Sequence, residues 1–286
     1  MLRLVCVGVL YLILGCQAAG DWCYEHAECA PETWAVHYPL CGLNSQSPIN
    51  ILTSQVKESR TLGPINIYGS SRSTTGVVTN NGHTVEVVLD TVYQLSGAGL
   101  PDVYQMAGLH FHFGNLQLGN EGSEHLIDGN AFPLEAHFVF YNTKYADLAT
   151  AKANEDGLAV VGVLFKIGES NADLDNLISV LPNVDHKGDT ATTSINLEKM
   201  LPNTVSNYYK YQGSLTTPPC SENVAWHLIS SPLDISISQY EAIVSSLYFT
   251  TSDSVEQSPM VNNYRPPQPL NGRTVFKYSD GLSTNM

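Results

Sequence analysis

The sequence predicts a β-rich α+β protein folded as a single domain, and three observations support that prediction. Short apolar or alternating runs bounded by Gly, Pro, Asn and Ser recur along the chain, the pattern of half-buried strands between turns. Only two segments carry apolar residues at helical spacing. No Gly/Ser-rich or charged linker, internal repeat or low-complexity tract divides the 286 residues, a length sufficient to bury a substantial core.

In chain order, residues 1–20, "MLRLVCVGVLYLILGCQAAG", read as a secretory leader. Arg3 is the positive start, Leu4 to Leu14 the apolar stretch, and Ala18-Ala19-Gly20 the small-residue cleavage site. That stretch is short for a bilayer span. The domain is expected over residues 21–286, exported, with no anchor signal in the polar end "YSDGLSTNM". Without the leader four cysteines remain, Cys23, Cys29, Cys41 and Cys220. An even number in an oxidising compartment points to two disulfides, and spacing leaves all three pairings open.

The strands are expected in "VVTNNGHTVEVVL", "VYQMAGLHFHF", "LEAHFVFYN", "GLAVVGVLFKIG", "NYYKYQG" and "VAWHLIS", with antiparallel neighbours. Asn81-Gly82 reads as a two-residue hairpin turn that places His83 at the start of the returning strand. The helices are expected in "NADLDNLISVL", capped by Ser170, and in "SQYEAIVSSL". A formal net charge of −14 disfavours nucleic acid and anionic membrane as partners, since both would repel the chain.

The chemistry concentrates in "LHFHFG", Leu109–Gly114. Side chains alternate faces along a strand, so His110 and His112 project to one side, roughly 6–7 Å apart along the backbone. His137 in "PLEAHFVFYN" offers a third imidazole, and Glu135 shares its face. Three neutral nitrogens with one open position suit a catalytic zinc ion. A carboxylate beside a ligand suits the acceptor that fixes the imidazole tautomer.

These residues sit in a wider set of motifs. "LHFHFG", "GSEH" at Gly122–His125, "LEAHFV" and "GSLTTPPCSE" at Gly213–Glu222 together resemble an α-class carbonic anhydrase. "QSPINI", "NNGHTVEV", "DGLAVVGVLF" and "NYRPPQPLNGR" add matches in family order across nearly the whole mature chain. The resemblance implies a large twisted, mainly antiparallel central sheet with a few short surface helices. It implies reversible hydration of CO2 to bicarbonate and a proton by zinc-bound hydroxide, a side esterase activity, and inhibition by sulfonamides and anions. His110, His112 and His137 become the zinc ligands, with Glu135 and Asn263 supporting them from behind.

Thr216 becomes the residue that orients the attacking oxygen, and Glu124 the carboxylate that accepts from Thr216. Thr217 contacts bicarbonate, while Val139, Val160, Leu215 and Trp226 form an apolar wall for CO2. His125 is structural. His83 becomes the proton shuttle, a role suited to a group whose ordinary pKa of about 6.5 lies near neutrality, and Tyr24, Asn81 and Glu86 line the proton path. The resemblance to secreted and membrane-tethered members joins Cys41 to Cys220, and the tethered members also suggest Cys23 to Cys29. Two positions depart from the family pattern: Gly108 stands where relatives usually carry Gln beside the first ligand, and Phe113 where they carry Trp. The chain shows neither a nucleophile elbow nor an HExxH helix.

Overall fold

The computed structural model describes residues 22–69, 73–117, 121–198 and 200–280. The leader expected over residues 1–20 and the polar end beyond residue 280 lie outside the described residues.

A 14-stranded sheet dominates the molecule. Its main path places side by side Thr190–Ile195, Thr74–Asn80, Val85–Leu89, Tyr104–Phe113, Leu134–Asn142, Leu158–Ile167, Val224–Ile229, Asn207–Gly213, Phe276–Ser279 and Lys57–Glu58. Most neighbours are antiparallel, as expected. The exceptions are Leu158–Ile167, which runs parallel to Val224–Ile229 and Leu233–Ile235, and Phe276–Ser279, parallel to Lys57–Glu58. Each of the six runs read as strands contributes one or two strands to this sheet.

The two-residue period of the strands sorts their side chains onto two faces. Leu109, Phe111, Phe113, Ala136, Phe138, Phe140, Val161 and Val163 all enter one buried cluster. Helices Ala172–Val180 and Ile237–Val244 cover that face through Leu174, Leu177, Tyr240 and Ile243. Each buried Leu or Phe contributes roughly 1.5–3 kcal/mol, so the register of these strands is held firmly; a slip of one residue would turn every histidine into the core. The opposite face carries a second cluster, with Val160, Leu164, Tyr211, Trp226 and Leu228. His110, His112, Glu135 and His137 project to this side.

Two local expectations are corrected. The first helix is capped by Asn171 rather than Ser170: the Asn171 side chain accepts from the Asp173 N–H, a bond that Asn makes as readily as Ser at the first position of a helix. The hairpin joining Thr74–Asn80 to Val85–Leu89 has a four-residue loop, Asn81 to Thr84, closed by the Asn81 N–H donating to the Thr84 carbonyl at 3.1 Å. His83 therefore lies in the loop and not on the strand. The Asn81 side chain stabilises this wider turn by accepting from the His83 and Thr84 N–H groups at 2.9 and 3.0 Å. Gly82 supplies its positive φ of 84°.

Both disulfides implied by the resemblance are formed, Cys23–Cys29 and Cys41–Cys220. Cys41 and Cys220 pack against Trp34. The buried Arg265 guanidinium donates to the Cys41 carbonyl, and Gln46 donates to that of Cys220. Among the described residues no helix is long and apolar enough to cross a membrane.

Candidate active site

The central pair of strands, Tyr104–Phe113 and Leu134–Asn142, builds the site by register. His110 lies directly opposite His137, and His112 directly opposite Glu135. Alternation on each strand and pairing between them thus bring three imidazoles onto one patch. Their ring centroids lie 5.1, 5.2 and 4.5 Å apart, and one nitrogen from each falls within 4.8 Å of the others.

The outer nitrogens explain which atoms face inward. His112 donates from Nδ1 to the Asn263 carbonyl at 2.8 Å, and His137 from Nε2 to Glu135 Oε1 at 2.8 Å. These bonds fix the tautomers and leave the Nε2 lone pair of His112 and the Nδ1 lone pair of His137 free. Burial, reinforced at His110 by the neighbouring imidazoles, holds the three pKa values below the ordinary 6.5, that of His112 at about 4. All three rings are neutral at pH 7, the form that binds a metal ion.

Glu135 is the hub of the support. Its Oε1 also accepts from His125 Nδ1 at 2.7 Å, and its Oε2 accepts from the N–H groups of Glu124 and His125 at 2.9 and 2.8 Å. Burial alone would raise this carboxyl, but His125 and His137, which both donate to it, hold it well below the usual range. Gly162 makes room for it: a Cβ there would stand 3.3 Å from Glu135 Oε1 and only 2.7 Å from Leu228. His125 is tied at its other nitrogen to the Tyr211 hydroxyl at 2.7 Å. Asn263 acts through side chain as well as backbone, accepting from the Phe113 N–H and donating to the His83 and Phe111 carbonyls.

Glu124 lies beneath the histidines, wholly buried, and accepts from the Arg265 N–H at 2.9 Å. Burial pushes its carboxyl up to about 7, partly offset by His137, the Thr216 hydroxyl and the Arg265 N–H. Thr216 is close enough to act on it, although the pair falls short of a fully formed hydrogen bond. Glu124 Oε2 and His112 Nε2, 3.5 Å apart, are buried polar atoms without hydrogen-bond partners among the described residues. Such atoms are costly unless a further group satisfies them. Neutral imidazoles with inward lone pairs beside a carboxylate fit a zinc ion.

A cavity of about 310 Å³ opens over the patch. Tyr24, Asn81, His83, Glu86, His110, His112, Val139, Leu215 and Thr217 line it, so most of the sequence-predicted residues converge there. Val160 and Trp226 do not line it. They stand one row away on the next strands, paired with each other and with Val139 and Tyr211, and back the wall. The cavity also takes in Trp22, Leu148, Lys152 and Pro218, which sequence reasoning missed. Trp22 stacks flat on His83, with ring centroids 3.7 Å apart and planes 13° from parallel. No periodicity flags Trp22; only its place beside Cys23 could have. A larger cavity of about 440 Å³, lined by Tyr104, Glu155, Lys210 and Glu222 among others, contains none of the predicted residues.

The profile of the eukaryotic-type carbonic anhydrase family matches residues 29–279. Carbonic anhydrase 6 of Mus musculus is 37% identical over 280 residues, covering 96% of this chain and 86% of that protein. Carbonic anhydrase 7 of Mus musculus is 40% identical over 258 residues, covering 89% and 96%. Carbonic anhydrase 12 of Homo sapiens is 37% identical over 248 residues, covering 85% and 69%.

Proposed function

The chain belongs to the eukaryotic-type carbonic anhydrase family, and from that premise we propose that it is an exported zinc carbonate dehydratase interconverting CO2 and bicarbonate. The observation that carries this reading is the convergence of three neutral imidazole nitrogens within 4.8 Å of one another, two of them, on His110 and His112, lining the cavity. His110, His112 and His137 would hold a zinc ion, which would supply Lewis-acid activation of water near neutral pH, as in carbonic anhydrases generally.

The chain's own residues complete the chemistry. Thr216 lies close enough to act on the Glu124 carboxyl; with its proton turned to that oxygen it would offer only lone pairs to the attacking oxygen and so orient it. The Arg265 N–H, donating to Glu124, holds that carboxyl in place for the role. Val139 and Leu215, backed by Val160 and Trp226, give CO2 a dry surface beside the histidines. Thr217 contacts bicarbonate from the cavity wall. His83, fixed by Trp22 at the cavity mouth, receives the proton along Tyr24, Asn81 and Glu86. Ester hydrolysis is a side activity of the same site, and sulfonamides and anions inhibit it. The disulfides Cys23–Cys29 and Cys41–Cys220 support export, since such bonds persist in oxidising compartments.

Stopped-flow CO2 hydration tests the reading. Sulfonamide-sensitive hydration is expected, with His83→Ala slower in dilute buffer and recovering when imidazole is added. Zinc-loaded protein without sulfonamide-sensitive hydration would sink the enzyme reading, and unchanged turnover in His83→Ala would remove His83 from the route. A mature amino terminus near Asp21 on protein recovered from the medium is the expected sign of export; an intact residue 1 on intracellular protein is the contrary one.

A further inference from the structure

The three imidazoles are not equally supported. His112 is held from behind by the Asn263 carbonyl and His137 by Glu135, whereas His110 makes no hydrogen bond through its ring to any described residue. On its own strand the residue that shares its face nearest the cavity mouth is Gly108, which has no side chain to offer. The strand bulges just before it, between Met106 and Gly108.

The neighbouring strand supplies what Gly108 lacks. Glu86 lies directly opposite His110 across the antiparallel pair, so their Cβ atoms project to the same face at about 4.5–5.5 Å. The Glu86 carboxylate leans toward position 108: a Cβ there would stand 3.7 Å from Glu86 Oε1. An acceptor rooted at 108 would thus enter the space that this carboxylate already approaches. Glu86, Gly108 and His110 line the same cavity, where one water can complete a bridge between polar groups.

We propose that Glu86 is the positioning residue of His110, accepting from its outer ring N–H across one water in the space beside Gly108. Glu86 thereby fixes the tautomer that presents a lone pair to the metal ion, as the Asn263 carbonyl and Glu135 do for the other two rings. The inference rests on the zinc site proposed above. It assigns Glu86 to metal retention in addition to its place on the proton path.

Zinc release into excess chelator, measured on folded protein, tests the assignment independently of activity. Glu86→Ala is expected to release zinc about 10–100-fold faster, the usual effect of losing an acceptor behind a metal-bound histidine. Glu86→Gln keeps a carbonyl acceptor and should stay within about threefold of the original protein. Release from Glu86→Ala within twofold of the original overturns the proposal. So does Glu86→Gln releasing as fast as Glu86→Ala, because the effect would then follow charge and not hydrogen-bond acceptance. Failure of the underlying zinc reading looks different: the original protein itself would not retain zinc, or His110→Ala would retain it equally well.

Discussion

Replacing Glu135 by Gln isolates the contribution of one carboxylate to the metal site. Each oxygen of Glu135 accepts two hydrogen bonds, Oε1 from the rings of His125 and His137 and Oε2 from two backbone N–H groups. A glutamine keeps one oxygen and must turn its NH2 toward one of these donor pairs. Facing the backbone, it would lose two bonds to a charged acceptor, roughly 1.5–3 kcal/mol each and about 3–6 kcal/mol together. Facing the imidazoles costs less, because both rings can change tautomer. His125 then accepts at Nδ1 and donates from Nε2 to the Tyr211 hydroxyl, its present partner there.

His137 has no such harmless alternative. Its proton would move to Nδ1, the nitrogen now 3.9 Å from Glu124 and turned toward the other histidines. The expected result is a zinc-free protein that unfolds near the original, with at most about 3 kcal/mol lost. Zinc affinity should fall by about 10–100-fold, which is about 1.4–2.7 kcal/mol. Competition with a zinc-binding indicator gives the affinity, and urea unfolding of the metal-free protein gives the stability. Unchanged affinity in Glu135→Gln would refute the tautomer argument, and loss of affinity matched by loss of fold would make Glu135 merely structural.

Two further outcomes follow from features outside the three candidate ligands. The Cys41–Cys220 bond closes a loop of 179 residues, worth about 5 kcal/mol in the chain-entropy description; Cys41→Ser/Cys220→Ser should lose several kcal/mol in urea unfolding, and a loss under about 1 kcal/mol would contradict it. His227 is fully buried, and burial, then Lys210, lowers its pKa from 6.5 to about 3. Because the unfolded chain takes up that proton first, stability falls as pH drops from 6.5 toward 3, by up to about 5 kcal/mol at 1.36 kcal/mol per unit. His227→Leu should flatten acid unfolding across that window; an unaltered acid midpoint would show that His227 does not drive it.

The strands were legible because two-residue alternation is dictated by one buried face, as in Leu134, Ala136, Phe138 and Phe140. The three histidines were legible for the same reason, each breaking that alternation on the opposite face. The cap of the first helix and the loop holding His83 were misplaced by one or two residues, since Ser and Asn both cap and Asn-Gly serves several turn lengths. The parallel pairing of Leu158–Ile167 with Val224–Ile229, and Trp22 lying over His83, depend on contacts between distant segments. No local period encodes those. The support behind the ligands was half visible: Glu135 shares a strand with His137, but the carbonyl that orients His112 belongs to Asn263, 151 residues away.

The central claim is that His110, His112 and His137 hold one zinc ion and that this ion is what makes the chain hydrate CO2. Zinc content and CO2 hydration, measured on one preparation of the original protein and on His112→Ala, test it most directly. One zinc per chain with rapid hydration in the original, and loss of both in His112→Ala, is the predicted result. Hydration that persists in zinc-free His112→Ala, or stoichiometric zinc that the substitution leaves untouched, would contradict it.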